Sequence, residues 1–279
     1  MNNKSIKDIT VAVVGVGMVG GAMQRYFEKA GRTHFLYDPY KKLGSKGEVN
    51  KADVVFVSVP TPYKVKEGGF DLSYVKETCE FLDDGKVVVI KSTVVPGTTQ
   101  KLQDEYPNLK FLFNPEFLTE LTADQDMNYP DRQIIGHTKE SYNVAGHVMR
   151  LLPLAPYERI MPATAAETVK YFGNTWFSTK VVFANQMYDL CEKLGIDYDI
   201  VKEAAAGDKR IGPSHLEIFH KDYRGYGGKC LPKDIRALIQ LAESLGVELK
   251  LHKTVEEINN KMIADQGIDD HETFGTKRE

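Results

Sequence analysis

Two periods of apolar and polar residues divide the chain into a first half of short strands and a second half of long helices. In the first half, short apolar runs rich in β-branched residues are typical of buried parallel strands. These runs occupy residues 9–17, 34–38, 52–60, 85–93, 109–117 and 131–137. Segments with helical spacing, 18–31 and 73–82, separate some of the runs. The alternation predicts an α/β fold, a Rossmann-type doubly wound parallel sheet with helices on both faces.

The pattern changes near residue 155, and the rest of the chain is mainly helical. One long helix is predicted from 162 to Gly195, where the glycine ends it. Shorter helices are predicted over 197–207, 233–246 and 254–264. The sequence therefore predicts an α/β domain over 1–155, a helical domain with one long central helix over 156–264, and a polar tail over 265–279. Because so long a helix exceeds what one small domain can cover, we expect a homodimer through the helical domain.

Composition and charge exclude several classes of protein. Hydrophobic residues make up 42% and charged residues 27% of the 279 positions, which is the balance of a soluble globular protein. A formal net charge of −3 provides no basic field for a nucleic-acid partner. No apolar run approaches the length of a membrane span, and the first ten residues lack the apolar stretch of a signal peptide. We therefore expect a cytoplasmic protein without a membrane partner.

Cysteine and histidine usage narrows the chemistry further. The three cysteines, Cys79, Cys191 and Cys230, are an odd and sparse set, which favours thiols over a disulfide framework. The seven histidines never fall at metal-ligand spacing with acids or cysteines. The sequence therefore predicts no metal site.

The segment "GVGMVG" carries a dinucleotide signature. It places Gly15, Gly17 and Gly20 in a G-x-G-x-x-G pattern that follows a strand and opens a helix, which is the required context. Glycines permit the tight turn and let the backbone approach a pyrophosphate at the helix N-terminus. Asp38 ends the next strand, where a carboxylate can accept hydrogen bonds from the adenosine ribose and would repel a 2′-phosphate. The pattern therefore predicts NAD as the cofactor.

The segment "GYGGKCLPKD" places a thiol between a flexible turn and a helix. Gly227 and Gly228 allow unusual backbone angles, and Pro232 suits the first turn of a helix. Cys230 then lies at or next to the helix N-cap, where unpaired N–H groups and nearby lysines favour the thiolate. Asp234, four residues on, shares a helix face with it and can hold a water or a reacting hydroxyl. The pattern favours a reactive cysteine over a structural one.

The cysteine segment closely resembles the catalytic-cysteine motif of the UDP-glucose/GDP-mannose dehydrogenase family. Further segments resemble that family in the same order, namely "VGVGMVG", "SVPTP", "FDLSYV", "KSTVVPGT", "NPEFLTELTADQDMNYPDR", "KYFGN" and "DKRIG". The resemblance runs from about residue 9 to about residue 262. It implies a dehydrogenase that oxidises the 6-hydroxyl of a nucleotide sugar twice, to the carboxylate, with two NAD. The cysteine is implied to hold the carbon as a thiohemiacetal and then as a thioester.

The resemblance also assigns catalytic roles to residues other than the cysteine. Lys170 and Asn174 share one helix face by their spacing, and they are implied to stabilise an oxyanion and orient the substrate. Glu116 is implied to be the base for the water that hydrolyses the thioester, acting with Thr93. Asp234 is implied to be a supporting catalytic acid, and Arg210 to reach the substrate of a neighbouring subunit.

Residue patterns and resemblance together give two predicted contact sets. The cofactor is assigned to Gly15, Gly17, Met18, Val19, Gly20, Asp38, Pro60, Thr61, Thr93 and Lys233. The substrate is assigned to Glu116, Phe117, Leu118, Glu120, Lys170, Asn174, Arg210, Tyr226 and Gly227.

Two departures from the family pattern concern the substrate. Family members usually continue into a third α/β domain that binds the nucleotide, whereas this chain stops soon after the helical domain. Only 14 residues separate Asp38 from Asp53, where the family usually carries a longer segment.

The sequence alone leaves two alternative functions open. A two-electron 3-hydroxyacid-type dehydrogenase also joins a Rossmann domain to a helical domain and uses a lysine and an asparagine one helical turn apart. It needs neither Cys230 nor Glu116. The other alternative is a truncated, non-catalytic NAD-binding partner of a complete dehydrogenase.

Overall fold

The computed structural model describes residues 5–64, 69–119, 121–220, 222–228 and 230–268. The chain divides into two compact units, which we call unit 1 (Met1–Lys170) and unit 2 (Tyr171–Glu279). The sequence places the change of domain at residue 155, before a strand and the first turns of a helix that unit 1 includes. Glu120, a predicted substrate contact, and Lys229, one of the lysines next to Cys230, lie outside the described residues.

Unit 1 is built on a seven-stranded sheet and a separate two-stranded hairpin. The strands are β1 (Val11–Val14), β2 (His34–Tyr37), β3 (Val54–Val57), β4 (Tyr63–Lys64), β5 (Gly69–Phe70), β6 (Val87–Ile90), β7 (Lys110–Phe113), β8 (Arg132–His137) and β9 (Tyr157–Pro162). The order across the large sheet is β2-β1-β3-β6-β7-β8-β9, and β4 pairs with β5. Every neighbouring pair in the large sheet is parallel except β7 and β8. The predicted Rossmann-type sheet is confirmed, with the addition that its last two strands run opposite to the others.

Helices cover both faces of this sheet. They are α1 (Met18–Lys29), α2 (Lys46–Val49), α3 (Ser73–Glu80), α4 (Thr98–Glu105), α5 (Ala123–Asn128), α6 (Tyr142–Met149) and the first turns of α7 (Ala163–Leu194). Alternate residues of β1 show how the two faces are filled. Val11 and Val13 belong to a core that includes residues of α1 and α6, whereas Ala12 and Val14 belong to a core that includes residues of α3 and α4. The doubly wound architecture is therefore confirmed.

The strand β9 has no counterpart among the predicted strands. Five of its six residues are exposed. It lies at the edge of the sheet and pairs only with β8 among the described strands. A strand in this position does not have to be apolar, so it lacks the sequence pattern of the buried strands.

Unit 2 consists of helices and one short hairpin. It contains the rest of α7, then α8 (Tyr198–Ala206), β10 (Phe219–His220), β11 (Tyr223–Arg224), α9 (Leu231–Ser244) and α10 (Lys250–Asp265). One core cluster joins Val181 and Val182 of α7 to Ile235 of α9 and Val255 of α10. The predicted long central helix and the three shorter helices are confirmed, whereas the two-residue strands of the hairpin are too short to leave a periodic signal.

Candidate functional site

The carboxyl ends of the central parallel strands gather most of the predicted site residues of unit 1. The glycine turn follows β1, Thr61 follows β3, Thr93 follows β6, and Glu116 follows β7. In an open parallel sheet, the loops at this edge form the crevice where ligands bind. Topology therefore brings together four segments that are far apart in sequence.

Two of the three glycines are required by chain packing, and the third leaves an open approach. A Cβ on Gly15 would lie 2.7 Å from the carbonyl oxygen of Ser58, and a Cβ on Gly20 would lie 1.9 Å from the carbonyl oxygen of Gly15. Gly17 is the N-cap of α1, and a Cβ there would meet no atom within 4 Å. No side chain among the described residues caps this helix. The open N-terminus fits the pyrophosphate of a dinucleotide, because its N–H groups can donate to an anion.

Asp38 is tied to the same glycine turn. Its side chain is buried, and Oδ2 accepts a hydrogen bond from the backbone N–H of Val16 at 2.9 Å. Oδ1 accepts one from the backbone N–H of Lys41 at 3.2 Å. Each carboxylate oxygen can accept a second bond, so these contacts fix the carboxylate and leave it able to receive ribose hydroxyls.

Two hydroxyls join the loops after β3 and β6. Thr61 donates from Oγ1 to the carbonyl oxygen of Thr93 at 2.7 Å. Ser92 donates from Oγ to the carbonyl oxygen of Val59 at 2.6 Å. Thr61 and Thr93, both predicted cofactor contacts, therefore lie against each other. Pro60 is exposed, as is Met18 at the start of α1.

Glu116 and Lys170 form an ion pair inside unit 1. Their side chains are each 12% exposed, and Lys170 Nζ donates to Glu116 Oε2 at 3.2 Å. The other oxygen, Oε1, accepts from the backbone N–H of Leu118. The prediction treated these residues as separate parts of one site, and the structure brings them into direct contact.

Lys91 is a buried lysine whose charge interacts with those of Glu116 and Lys170. It was not assigned to the site from the sequence. It ends the apolar run "VVVIK", it is 6% exposed, and its Nζ donates to Asn114 Oδ1 at 2.7 Å. Burial lowers its pKa to about 8, an effect that the attraction of Glu116 opposes and the repulsion of Lys170 adds to. A lysine at the end of a buried strand was the signal available in the sequence.

The amide of Asn114 has only one orientation that satisfies its neighbours. Its Nδ2 donates to Gln133 Oε1 at 2.9 Å and to the carbonyl oxygen of Ile134 at 2.8 Å. Both amide hydrogens are used, so Oδ1 is left to accept from Lys91. Asn114 precedes Glu116 by two positions in "NPEFL", so the same segment fixes a cation and carries the carboxylate.

Glu167 holds the loop that carries Thr93. This fully buried carboxylate accepts from the backbone N–H groups of Gly97 and Thr99, at 2.5 and 2.8 Å, and from Thr99 Oγ1 at 2.6 Å. Gly97 is the N-cap of α4, so Glu167 satisfies two N–H groups at that helix start. Burial raises the pKa of Glu167, and the hydrogen bonds from Thr99 and Gly97 act in the opposite direction.

Unit 2 carries the thiol. Cys230 is exposed and is the N-cap of α9, as predicted, with its carbonyl oxygen accepting from the backbone N–H of Asp234 at 3.1 Å. The other two cysteines are buried, and all three are thiols. Burial raises the pKa of the Cys79 thiol to about 12. Cys230 is therefore the accessible thiol of the chain.

Asp234 is buried and doubly paired within unit 2. Its Oδ2 accepts from Asn174 Nδ2 at 2.5 Å, and its Oδ1 accepts from Lys233 Nζ at 2.6 Å. Asp234 is 1% and Asn174 is 8% exposed. A carboxylate this buried is stable only when its oxygens are bonded, and both are.

The remaining predicted substrate residues lie in different settings. Tyr226 is buried in the core of unit 2, and Gly227 next to it is half-buried. Arg210 is exposed and pairs with Asp208 two positions before it, at 2.6 Å. In unit 1, the ring of Phe117 stacks beneath the guanidinium of Arg132, 3.9 Å from the ring centroid.

The described residues contain neither a membrane-spanning helix nor a cluster of metal ligands. Among the described helices, none combines the length and hydropathy needed to cross a membrane. No group of three or more histidine, cysteine or acidic side chains that could hold a metal ion occurs in the same residues.

Both halves of the chain match one protein family. Residues 33–151 match the NAD binding domain of the UDP-glucose/GDP-mannose dehydrogenase family. Residues 164–261 match the central domain of the same family. The first match begins after the glycine turn. The geometry of the turn therefore supports a dinucleotide cofactor independently of the family match. The prediction of NAD as the cofactor is confirmed by the first match.

Named relatives agree with these matches. A UDP-glucose 6-dehydrogenase of Rickettsia conorii is 34% identical over 223 residues, which cover 77% of this chain and 50% of that relative. A UDP-glucose 6-dehydrogenase of Pseudomonas aeruginosa is 36% identical over 230 residues, which cover 75% of this chain and 48% of that relative. A solved UDP-glucose dehydrogenase from the archaeon Pyrobaculum islandicum is 29% identical with a TM-score of 0.78, over 92% of this chain and 69% of that one. The chain spans about half the length of the curated relatives it matches.

Proposed function

Since the chain belongs to the UDP-glucose/GDP-mannose dehydrogenase family, we propose that it oxidises the 6-hydroxyl of a nucleotide sugar of the UDP-glucose type to the carboxylate. The observation that carries this proposal is the exposed Cys230 thiol at the N-cap of α9, four residues before the buried Asp234. A simple alcohol dehydrogenase needs no such thiol. In an enzyme that takes an alcohol through two oxidations, a thiol can hold the aldehyde as a covalent adduct between the two steps.

The cofactor is held by the glycine turn, Asp38 and the loops that carry Thr61 and Thr93. Gly17 leaves room for a pyrophosphate at α1, and the fixed carboxylate of Asp38 receives the ribose hydroxyls. When bound, NAD accepts a hydride from the sugar carbon in each of the two oxidations.

The first oxidation converts the 6-hydroxyl to an aldehyde, with loss of a hydride and a proton. Asp234 and Asn174, a buried polar pair in the same unit as Cys230, orient the hydroxyl and the water that takes its proton. The Cys230 thiolate then adds to the aldehyde carbon as the C=O π bond breaks, and the oxygen takes a proton from water to give the hydroxyl of a thiohemiacetal. Loss of a second hydride and the hydroxyl proton leaves a thioester on the sulfur.

Hydrolysis of the thioester completes the reaction. Glu116 takes a proton from water, the hydroxyl oxygen adds to the thioester carbon, and the C–S bond breaks to return the Cys230 thiolate. Lys170 holds Glu116 in place and supplies a positive charge that stabilises the oxyanion of the tetrahedral state. Two hydrides leave the sugar for each carboxylate formed, so two NAD are reduced.

We further propose that the protein is a cytoplasmic homodimer formed through unit 2. The helices α7 and α8 expose several large apolar side chains, namely Phe172, Trp176, Phe183, Leu190, Leu194 and Ile200. Exposed apolar surface of this extent is typical of a protein–protein interface. The molecular mass in solution, measured by light scattering, tests this assignment, and a monomeric mass contradicts it.

The stoichiometry of the reaction tests the proposed function. Purified protein with NAD and UDP-glucose, or GDP-mannose in parallel, is expected to form two NADH per sugar consumed, and Cys230→Ser is expected to stop turnover. One NADH per substrate with Cys230 dispensable would instead support a 3-hydroxyacid-type dehydrogenase. NAD binding without turnover on either sugar nucleotide would support a non-catalytic NAD-binding protein.

A further inference from the structure

The segment that leads into the cysteine loop is bonded to α10 by two side-chain amides. Asn259 accepts from the backbone N–H of Tyr226 at 2.8 Å and donates to its carbonyl oxygen at 2.9 Å. Gln266 accepts from the backbone N–H of Arg224 at 2.9 Å and donates to its carbonyl oxygen at 3.0 Å. Each amide thus takes both backbone groups of one residue, as a neighbouring β-strand would.

The spacing on the two elements explains why this pairing is possible. Gln266 is the C-cap of α10 and follows Asn259 by about two helical turns, so the two side chains lie on the same side of the helix. Arg224 is the last residue of β11, and the chain bends at Gly225 before it reaches Tyr226. Between them, Gly225 has a φ of 88°, and a Cβ there would lie 2.7 Å from Asn259 Oδ1. The close approach of α10 therefore requires glycine at this position.

The other side of the segment is bonded to α7. Arg224 donates from Nε to Asn185 Oδ1 at 3.0 Å and from a terminal nitrogen to Asp189 Oδ1 at 2.7 Å. Its guanidinium also stacks over the ring of Tyr188, 4.8 Å from the centroid. Residues 224–226 are consequently fixed between two helices of unit 2.

From this geometry we propose that Asn259 and Gln266 are positioning residues that set the location of the Cys230 thiol by holding the backbone of residues 224–226. The inference rests on the proposed function, in which that thiol must meet an aldehyde carbon. Only three residues lie between Tyr226 and Cys230, and two of them are glycines, one with a φ of 75°. Glycines give the loop freedom, so its fixed ends decide where the thiol lies. One end is the start of α9, and the other is the residue held by Asn259.

A misplaced thiol has a specific chemical consequence. The first oxidation does not use the sulfur, so the aldehyde still forms. Its capture needs the sulfur within bonding distance, and a displacement of about 1 Å can cost on the order of 100-fold in rate. The aldehyde then leaves the enzyme in a larger fraction of turnovers. A loss of folded protein lowers the total rate and leaves that fraction unchanged.

The test is the fraction of turnovers that release aldehyde, measured with a hydroxylamine trap in the presence of NAD and UDP-glucose. Gln266→Ala is the primary variant because Gln266 is exposed and its loss leaves no cavity. We expect at least about a tenfold rise in trapped aldehyde, a lower kcat and an unchanged Kd for NAD. Lys261→Ala, an exposed change on the same helix whose partner is Asp265, is the matched control and should match the wild type.

Two variants of Asn259 test whether this amide holds the segment when Gln266 is lost. Asn259→Ala removes the buried clamp, and Asn259→Asp keeps the acceptor to the Tyr226 N–H and loses the donor. We expect both to release more aldehyde than Gln266→Ala, with Asn259→Asp closer to the wild type. Wild-type aldehyde release in all three variants would overturn the inference. Absence of turnover in the wild-type protein would instead overturn the proposed function, so the two failures are distinguishable.

Discussion

The side-chain amide of Asn174 donates a 2.5 Å hydrogen bond to the carboxylate of Asp234, which lies 60 positions further along the chain. Both side chains are buried. The bond joins the long helix α7 to α9, the helix whose N-cap is Cys230. In sequence these residues belong to two separate motifs, "KYFGN" and "GGKCLPKD", and the structure makes them one polar pair.

Removal of Asn174 should affect activity more than stability. Asn174→Ala leaves one oxygen of Asp234 buried without its donor, which costs about 1–3 kcal/mol of unfolding free energy. If the pair also orients the substrate, kcat falls by about 100- to 1000-fold. Urea denaturation and NADH formation measure the two effects. Ser178→Ala, which removes a buried hydroxyl bonded to the Asn174 carbonyl oxygen, is the control that should lower stability and spare kcat.

Alanine substitutions at Gly17 and Gly20 should affect different properties, namely NAD affinity at Gly17 and folding stability at Gly20. An alanine at Gly17 meets no atom of the protein within 4 Å, so Gly17→Ala should fold normally and bind NAD at least about tenfold more weakly, because the methyl group occupies the approach to α1. An alanine at Gly20 clashes with the carbonyl oxygen of Gly15, so Gly20→Ala should destabilise unit 1. Calorimetric titration with NAD and thermal unfolding distinguish the two. Equal NAD affinity of Gly17→Ala and wild type would contradict this reading of the turn.

Lys91 should make stability rise with pH in an alkaline window. Folding lowers its pKa from 10.5 to about 8, chiefly through burial. Between these values the unfolded chain holds a proton that the native state has released, so the free energy of unfolding increases with pH. The full effect is about 3 kcal/mol. The measurement compares the free energy of unfolding of the wild type with that of Lys91→Met at several pH values. Between pH 7.5 and about pH 10.5, the wild type should gain about 3 kcal/mol of stability relative to the variant. A constant difference would show that folding leaves the pKa of Lys91 unchanged.

Glu167 should contribute to stability through the start of α4. Glu167→Ala leaves the backbone N–H groups of Gly97 and Thr99 without their acceptor, at a cost of about 2–4 kcal/mol. The loop that carries Thr93 should then exchange its amide hydrogens faster. Thr168→Ala, an exposed neighbour on α7, should change neither quantity. Wild-type stability of Glu167→Ala would show that water replaces the lost acceptor.

The sequence predicts those elements whose own residues show a hydrophobic pattern, without reference to the element they pair with. The four-residue runs of β1, β3 and β6 are buried on both faces, so they must be apolar throughout. The edge strand β9 is mostly exposed and has no such requirement. Its place in the sheet is decided by pairing with β8, which the local sequence does not encode.

The candidate site shows the same division. The glycine turn and the cysteine at a helix start are local patterns, and each residue type has its own physical reason to be there. The role of Lys91 depends on Asn114 and Glu116 from another strand end, and that of Asn259 depends on a backbone segment 33 positions away. These partners meet only in the folded chain, so neither residue could be assigned from spacing.

The central claim is that Cys230 carries the sugar carbon during oxidation, and the mass of the protein after reaction tests it most directly. In Glu116→Gln the thioester should form and persist, since the base for its hydrolysis is gone. After incubation with NAD and UDP-glucose, we predict a protein heavier by one sugar-nucleotide acyl group, with the added mass mapped to the peptide that contains Cys230 and absent from a Cys230→Ser variant. Wild-type NADH formation by Cys230→Ser, with no adduct on Cys230 in Glu116→Gln, would contradict the account.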